Sequence, residues 1–457
     1  MAGSAGALDC GDLQTEDAMP LYPRASAPTL KPELFARPGA EYRGTPFWSW
    51  NCKLDVDQLR RQIDQMQEMG LGGFHMHART GLATEYMGPD FLAAVKACVE
   101  KARAEGMLAW LYDEDRWPSG FAGGLVTRDV AHRLRYLRVT PRPYGPEDKP
   151  HPDLKRGLSH RDGQGVLLAR YVVKLAKDGR LASARRLGER QKAAGTVWYA
   201  YLETSPESSW HNHQTYVDTM SEAAIARFIE TTHEAYHQAV GGDFGGVVPA
   251  IFTDEPQIHP TVMLPTPQAQ QDIILPWTVD LAETYARVWG EDLLDRLPDL
   301  VWDLPADASA RTRWRYRDHV TERFAAAFSD QIGAWCQRHG LASTGHLMAE
   351  ESLGSQMNWV GECMRHYRSY QLPGIDLLCD HLELTTAKQT ASVARQDGRE
   401  GVLSEMYGVT NWDFPFAGHK RQGDWQAAMG ITVRCHHLTW VSMAGNAKRD
   451  YPASIGY

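Results

Sequence analysis

Ile251-Phe252-Thr253-Asp254-Glu255-Pro256-Gln257 is an apolar run that stops abruptly at two acids and a proline. Such a run reads as a strand buried on both faces that delivers carboxylates at its C-terminal end, where barrel enzymes keep their chemistry. Far downstream, Gly401-Val402-Leu403-Ser404-Glu405-Met406-Tyr407-Gly408 repeats the design and again ends in a glutamate beside an aromatic. A single glutamate is ordinarily a solvated surface acid. Two in matched settings suggest an acid and a base.

Working outward from that strand, the chain alternates strand-like and helix-like segments. Thr45–Trp50, Gly72–Ala78 and Met107–Tyr112 read as strands, separated by amphipathic patterns at Val56–Met69 and Phe91–Glu105 that end at Gly70 and Gly106. Helix Ser221–Val240, with Ser221 as N-cap, leads into the strand at Val247–Thr253. After a Pro-rich loop and mostly helical sequence over 279–339, strands follow at Leu341–Leu347, Ile375–Cys379, Gly401–Ser404 and Val433–Trp440. The expected fold is therefore α/β, a (β/α)8 barrel of the TIM type, with right-handed crossovers keeping all strand C-termini on one face. An open doubly wound sheet is the alternative, but no GxGxxG turn or P-loop supports it.

The rhythm breaks over 130–215, where Leu134–Thr140, Gly165–Leu175 and Thr196–Thr204 look like strands between Pro, Gly and charged turns. This stretch reads as an inserted, mostly β subdomain. Residues 1–42, rich in Ala, Gly, Ser and Pro and without periodicity, read as an N-terminal extension, and 43–457 as the barrel. Only Val441 to Tyr457 follow the last strand, so truncation after strand eight stays open.

With 43% apolar and 23% charged residues, the composition is that of a globular protein. The net charge of −9 is spread along the chain and offers no basic stripe to nucleic acid. No apolar run approaches the roughly 20 residues needed to cross a bilayer, and Met1 to Pro20 carry acids where a signal peptide needs an apolar segment. A cytoplasmic protein with neither membrane nor nucleic-acid partner is expected. The seven cysteines are scattered, without a CxxC pair, and read as reduced thiols.

On a barrel these strands would end at His75 and His77, Asp113 to Asp115, Asp254 and Glu255, His346 with Glu350 and Glu351, Asp380 and His381, Glu405, and His436 with His437. Trp48, Trp50, Trp117, Tyr407, Trp412 and Trp440 lie beside them. Rings that stack on a C–H face, together with carboxylates and imidazoles that bond hydroxyls, suit a sugar, although plain packing competes for any single tryptophan. Glu255 and Glu405 are the candidate catalytic pair, and Glu351 is their rival. Candidate substrate contacts are Trp48, Trp50, His75, His77, Asp113, Glu114, Trp117, Asp254, His346, Tyr407 and Trp412. His75 and His77, two apart on a strand, share a face and could instead hold a metal, the arrangement of a metal-dependent hydrolase. Arg116 is expected to pair with one acid of Asp113–Asp115, leaving the others for hydroxyls or a calcium ion.

Several stretches taken together resemble glycoside hydrolase family 106, the α-L-rhamnosidase-type barrels. They are Pro46-Phe47-Trp48-Ser49-Trp50-Asn51, Gly72-Gly73-Phe74, Tyr112-Asp113-Glu114 with Trp117-Pro118-Ser119-Gly120 and Ala122-Gly123-Gly124, Thr253-Asp254-Glu255-Pro256, Ser404-Glu405 and Lys448-Arg449-Asp450-Tyr451-Pro452. The resemblance runs from about residue 43 onward, and its most specific part is the Tyr-Asp-Glu…Trp-Pro-Ser-Gly block. It implies cleavage of terminal L-rhamnose from oligosaccharides or glycosides, with inversion and with calcium helping to hold the sugar. Members of the family usually continue into β-sandwich modules. Besides the metal-dependent hydrolase, a non-catalytic carbohydrate-binding barrel is a further reading of the same residues.

Overall fold

The computed structural model describes residue 21 and residues 29–149, 161–188 and 190–448. Most of the N-terminal extension, and the Arg449 to Pro452 part of the resemblance, lie outside the described residues. Eight strand positions form one sheet: β1 (Phe47–Trp50), β2 (Gly73–Ala78), β3 (Leu108–Tyr112), then β8 (Ala250–Thr253), β10 (Ala342–Gly345), β11 (Leu372–Leu377), β12 (Leu403–Met406) and a last strand in two pieces, β13 (Val433–His436) and β14 (Thr439–Trp440). Every neighbouring pair is parallel. The sheet order is β13-β12-β11-β10-β8-β3-β2-β1-β14. Its two ends are pieces of the same strand. Leu403 is in register with Val433 on one side, and Ser49 with Trp440 on the other, so the eighth strand closes the barrel by pairing with β12 and then β1.

The four strands β4 (Arg135–Thr140), β5 (Val166–Leu175), β6 (Leu181–Arg186) and β7 (Thr196–Thr204) build a separate antiparallel sheet. A fifth, β9 (Ile273–Pro276), pairs with β4 and comes from the segment after the fourth barrel strand, which the sequence presents as a Pro-rich loop. The sheet therefore draws its strands from two successive crossovers, the one before and the one after the fourth barrel strand.

Strand alternation sorts the aromatics. Phe47 points inward to a barrel core with Trp110, Tyr112, Phe252, Leu403 and Cys435. Trp48 and Trp50 point outward among Leu59, Ile63, Phe74 and Phe91 of the strand–helix layer. The helix Val56–Glu68 starts on Asp55, whose carboxylate accepts from Gln58 N at 2.8 Å, and the helix Pro89–Glu105 ends on left-handed Gly106. Ser221 does cap its helix, but that helix is two: Glu222–Thr231 and His233–Val240. Between them Thr232 Oγ1 bonds back to Phe228 O at 2.9 Å and contacts His233 Nδ1 at 2.8 Å, the local competition that bends helices at threonine. The six described cysteines are free thiols. Among the described residues no helix is long and apolar enough to cross a membrane.

Gly345, the last residue of β10, has φ +125°, and a Cβ there would lie 1.9 Å from Thr253 O of the neighbouring strand. Only glycine permits that approach. Gly345→Ala is expected to cost about 2–4 kcal/mol in urea unfolding, whereas Gly340→Ala, also left-handed but with nothing within 4 Å, should cost about 1. Equal costs would show that strand contact is not what the glycine serves.

Candidate active site

The loop after β3 is organised by its own acids. Glu114 accepts backbone N–H groups from Asp115 (2.8 Å), Gly120 (3.0 Å), Ala122 (2.7 Å) and Gly123 (2.6 Å), so its carboxylate is the centre around which the loop winds. Asp113 accepts the Ser119 hydroxyl at 2.5 Å and that of Thr253. Ser119 is in turn clasped to the fourth barrel strand's end: its N–H donates to Asp254 O at 2.7 Å and its Oγ accepts from Asp254 N at 2.8 Å. The loop after β3 thereby fixes the backbone just before Glu255, which itself has φ +46°, an uncommon setting for a non-glycine.

At the barrel mouth, side chains from several strands converge on His346. Its Nε2 lies 3.2 Å from Asp254 Oδ1 and its Nδ1 3.7 Å from Glu405 Oε2. Asp254, His346 and Glu405 present atoms all within 4.8 Å of one another, as do Glu255, His346 and Asp376. Two carboxylate pairs thus share one imidazole. Tyr112 donates to Asp254 Oδ2 at 2.6 Å, and His77 Nε2 stands 3.9 Å from the same oxygen. Arg79 reaches across the mouth with Nη1 2.9 Å from His77 Nε2 and Nη2 3.1 Å from His437 Nε2. Its guanidinium lies 4.3 Å over the ring of Trp117. His437 Nε2 is 3.9 Å from Glu405 Oε1.

These neighbours split the titration of the group. Burial pushes Glu255 up to about 8, and the adjacent Asp254 charge adds to this. Glu405 is held well above the usual carboxylate range by burial and by Asp376 and Asp254. For Asp254, burial opposes the charge, but His346 and the Tyr112 hydroxyl outweigh it and hold the carboxyl below its ordinary value. His346, despite burial, is pushed well above an ordinary imidazole by Asp254 and the surrounding carboxylates. The mouth therefore contains an anchored ion pair, Asp254 with His346, flanked by two carboxyls that readily carry protons. The separation of Asp254 from these two neighbours keeps a proton available at the mouth.

The structure brings together Glu255, Glu405, Asp254, His346, His77 and Trp117 of the expected set. It places the others elsewhere. Trp48 and Trp50 lie behind the barrel wall, packed on Phe74 and Phe91 at 5.3 and 5.4 Å, and cannot touch a ligand in the mouth. Pleating turns Phe47 and Ser49 inward instead. Asp113 and Glu114 are buried with their oxygens committed to the loop, and Asp115 takes the pairing with Arg116 at 2.7 Å. His75 sits deeper, its Nδ1 3.1 Å from Thr45 O and its ring stacked on Trp110. His75 and His77 each have Nδ1 against a backbone carbonyl, and the Nε2 of His77 faces the Arg79 guanidinium, a cation where a metal shared by the pair would have to stand.

Glu351 is exposed; its neighbour Glu350 is the buried one, accepting from Asp376 N at 3.0 Å and from the Tyr367 hydroxyl. Tyr407 is buried, donates to His419 O at 3.0 Å and stacks on His436. Trp412 is 40% exposed and stacks on Trp440 at 5.4 Å, forming an aromatic ledge.

Sequence reasoning missed Arg79 and Asp376 as members of the cluster, and placed His437 at a strand end without assigning it a role. The first two carried a signal. Arg79 continues the inward face of His75 and His77 by one more step of two, and Asp376 interrupts the apolar run Ile375-Asp376-Leu377. Only the split of the eighth strand sets His437 facing Arg79.

No family model matches this sequence, and no curated protein matches it. Among solved structures, a rhamnosidase from Novosphingobium sp. PP1Y superposes with a TM-score of 0.59 at 13% identity, over 91% of this chain and 56% of that one. A β-galactosidase from Halorubrum lacusprofundi aligns at TM-score 0.45 and 10% identity, over 86% of this chain and 52% of the other. The β-amylase catalytic domain from Paenibacillus polymyxa aligns at 0.41 and 9%, over 86% and 92%. The likeness to the rhamnosidase is one of fold, and the chain spans about half of that protein's length.

Proposed function

We propose that this chain is a glycoside hydrolase that cleaves terminal α-L-rhamnosidic or closely related linkages. The observation that carries the reading is the meeting of Glu255, Glu405 and the Asp254–His346 pair in one buried mouth, where burial and the Asp254 charge favour a proton on Glu255. The fold shared with the Novosphingobium rhamnosidase and the family 106 motifs support the sugar class.

In this reading Glu255 donates its proton to the glycosidic oxygen as the bond to the anomeric carbon breaks. A water attacks that carbon and gives its proton to Glu405, which acts in its ionised form beside His346 and Arg79 and then releases that proton to solvent; the sugar leaves with a hydroxyl and Glu255 is reprotonated from solvent. Asp254 keeps Glu255 protonated by its charge, and Tyr112 and His346 keep Asp254 ionised. Arg79 faces the mouth as a donor for sugar hydroxyls, with Trp117 held beneath the guanidinium and His77 Nε2 accepting from it. Calcium, which the family resemblance implies, fits the donor set in one respect. Asp376 Oδ1 and Glu405 Oε2 are buried oxygens without a hydrogen-bond partner, and these two carboxylates would hold the ion. Bound there, it would supply positive charge beside the sugar hydroxyls.

The test is hydrolysis of p-nitrophenyl α-L-rhamnopyranoside within a panel of aryl glycosides, with calcium or with chelator. Release of nitrophenol from the rhamnoside above all others, reduced by chelation and restored by calcium, is the expected result. A different preferred glycoside would replace the sugar, and a folded sample silent on the whole panel and on natural rhamnosides would sink the reading.

A further inference from the structure

On the outer wall of the barrel, away from the mouth, Glu234 and His237 stand one turn apart on the helix His233–Val240, and His339 follows the helix Gln331–Arg338. Their ligating atoms all lie within 4.8 Å of one another. His237 is exposed, and Glu234 and His339 are half-buried, so solvent reaches the group. We propose that these three residues form a binding site for a divalent transition ion of the zinc class, joining the two helices.

The supports of the three side chains argue for this. Trp335 Nε1 donates to Glu234 Oε1 at 2.7 Å, fixing the carboxylate. His339 Nδ1 lies 2.8 Å from Trp335 O; donating there, it leaves the Nε2 lone pair free for a ligand. The His339 ring is stacked on Trp335 at 4.1 Å, which sets its plane. The ring of His237 meets that of His339 edge-on at 4.5 Å, and Gly241 leaves room for it, since a Cβ there would lie 2.4 Å from His237 Cδ2. One tryptophan thus orients two ligands from behind, as outer-shell partners do.

Two imidazoles and one carboxylate are a donor set for zinc, nickel or copper rather than for calcium or magnesium. Tetrahedral zinc wants ligand atoms about 3.3 Å apart, so rotation of the exposed His237 closes the present spacing, and water takes the fourth position. Both helices lead directly into barrel strands, His233–Val240 towards β8 and Gln331–Arg338 towards β10. An ion here would clamp the wall that supports Asp254 and His346 without touching the chemistry.

The experiment is zinc(II) uptake by chelator-treated full-length chain, measured by equilibrium dialysis and by thermal unfolding, for wild type, His237→Ala, His339→Ala and Glu405→Gln. The expected result is one ion per chain and a Tm raised by a few degrees, both retained in Glu405→Gln. Affinity should fall at least about tenfold in His237→Ala and His339→Ala. The exposed His237 variant guards against a folding defect in the stacked His339 variant. No uptake by wild type, uptake unchanged in both histidine variants, or uptake lost only in Glu405→Gln, which would place the ion at the mouth, overturns the proposal.

Discussion

Glu255→Gln should lower kcat by about 10²–10⁴-fold on glycosides with poor leaving groups, such as alkyl or sugar alcohols, while leaving the fold intact. Glutamine keeps the shape of the side chain but has no proton to give. The loss should shrink steeply for dinitrophenyl glycosides, whose phenolate departs without help, and that dependence on leaving group is what marks an acid. The pH profile carries a second signature. With Glu255 at about 8, wild-type activity needs the protonated carboxyl, so it should fall as pH rises through that value. The alkaline limb should vanish in Glu255→Gln. A variant that loses all substrates equally and keeps the limb would remove Glu255 from the acid's role.

Glu405→Gln should cost a comparable factor, about 10³-fold, but by the same factor for every leaving group. Water must be activated whatever departs. Asp376, in register with Glu405 on the adjacent strand and raised by burial to about 7, is the neighbour that could take the base's role instead. Asp376→Asn is expected to weaken calcium dependence more than turnover. If Asp376→Asn abolishes turnover for all leaving groups while Glu405→Gln retains it, the base is Asp376.

The barrel was legible because parallel strands covered on both faces must be apolar throughout, and runs such as Ala250–Thr253 can hardly be anything else. Which face of β1 looks inward is marked only by Ser49, which shares a face with Phe47; that less apolar face turns to the barrel interior while Trp48 and Trp50 pack behind the wall. Glu255, Glu405 and His346 could be found because polar residues ending buried strands need a reason. Asp113 and Glu114 met the same criterion for a different reason. Their partners are backbone N–H groups and hydroxyls of a loop, which no residue pattern announces beyond its glycines. β9 was read as loop because its four residues become a strand only by pairing with β4, a contact distant in sequence.

The split last strand also orders events during synthesis. Seven strand positions leave the ribosome before either seam can form, because β12 and β1 meet only through Val433 to Trp440. The contact between Arg79 and His437 spans 358 residues and exists only once that strand is in place. Long-range closure of this kind is slow and leaves parallel edges open to wrong partners. Competence to bind at the mouth would therefore appear late and all at once in a nascent chain, and capture of ligand during translation would report the moment of closure itself.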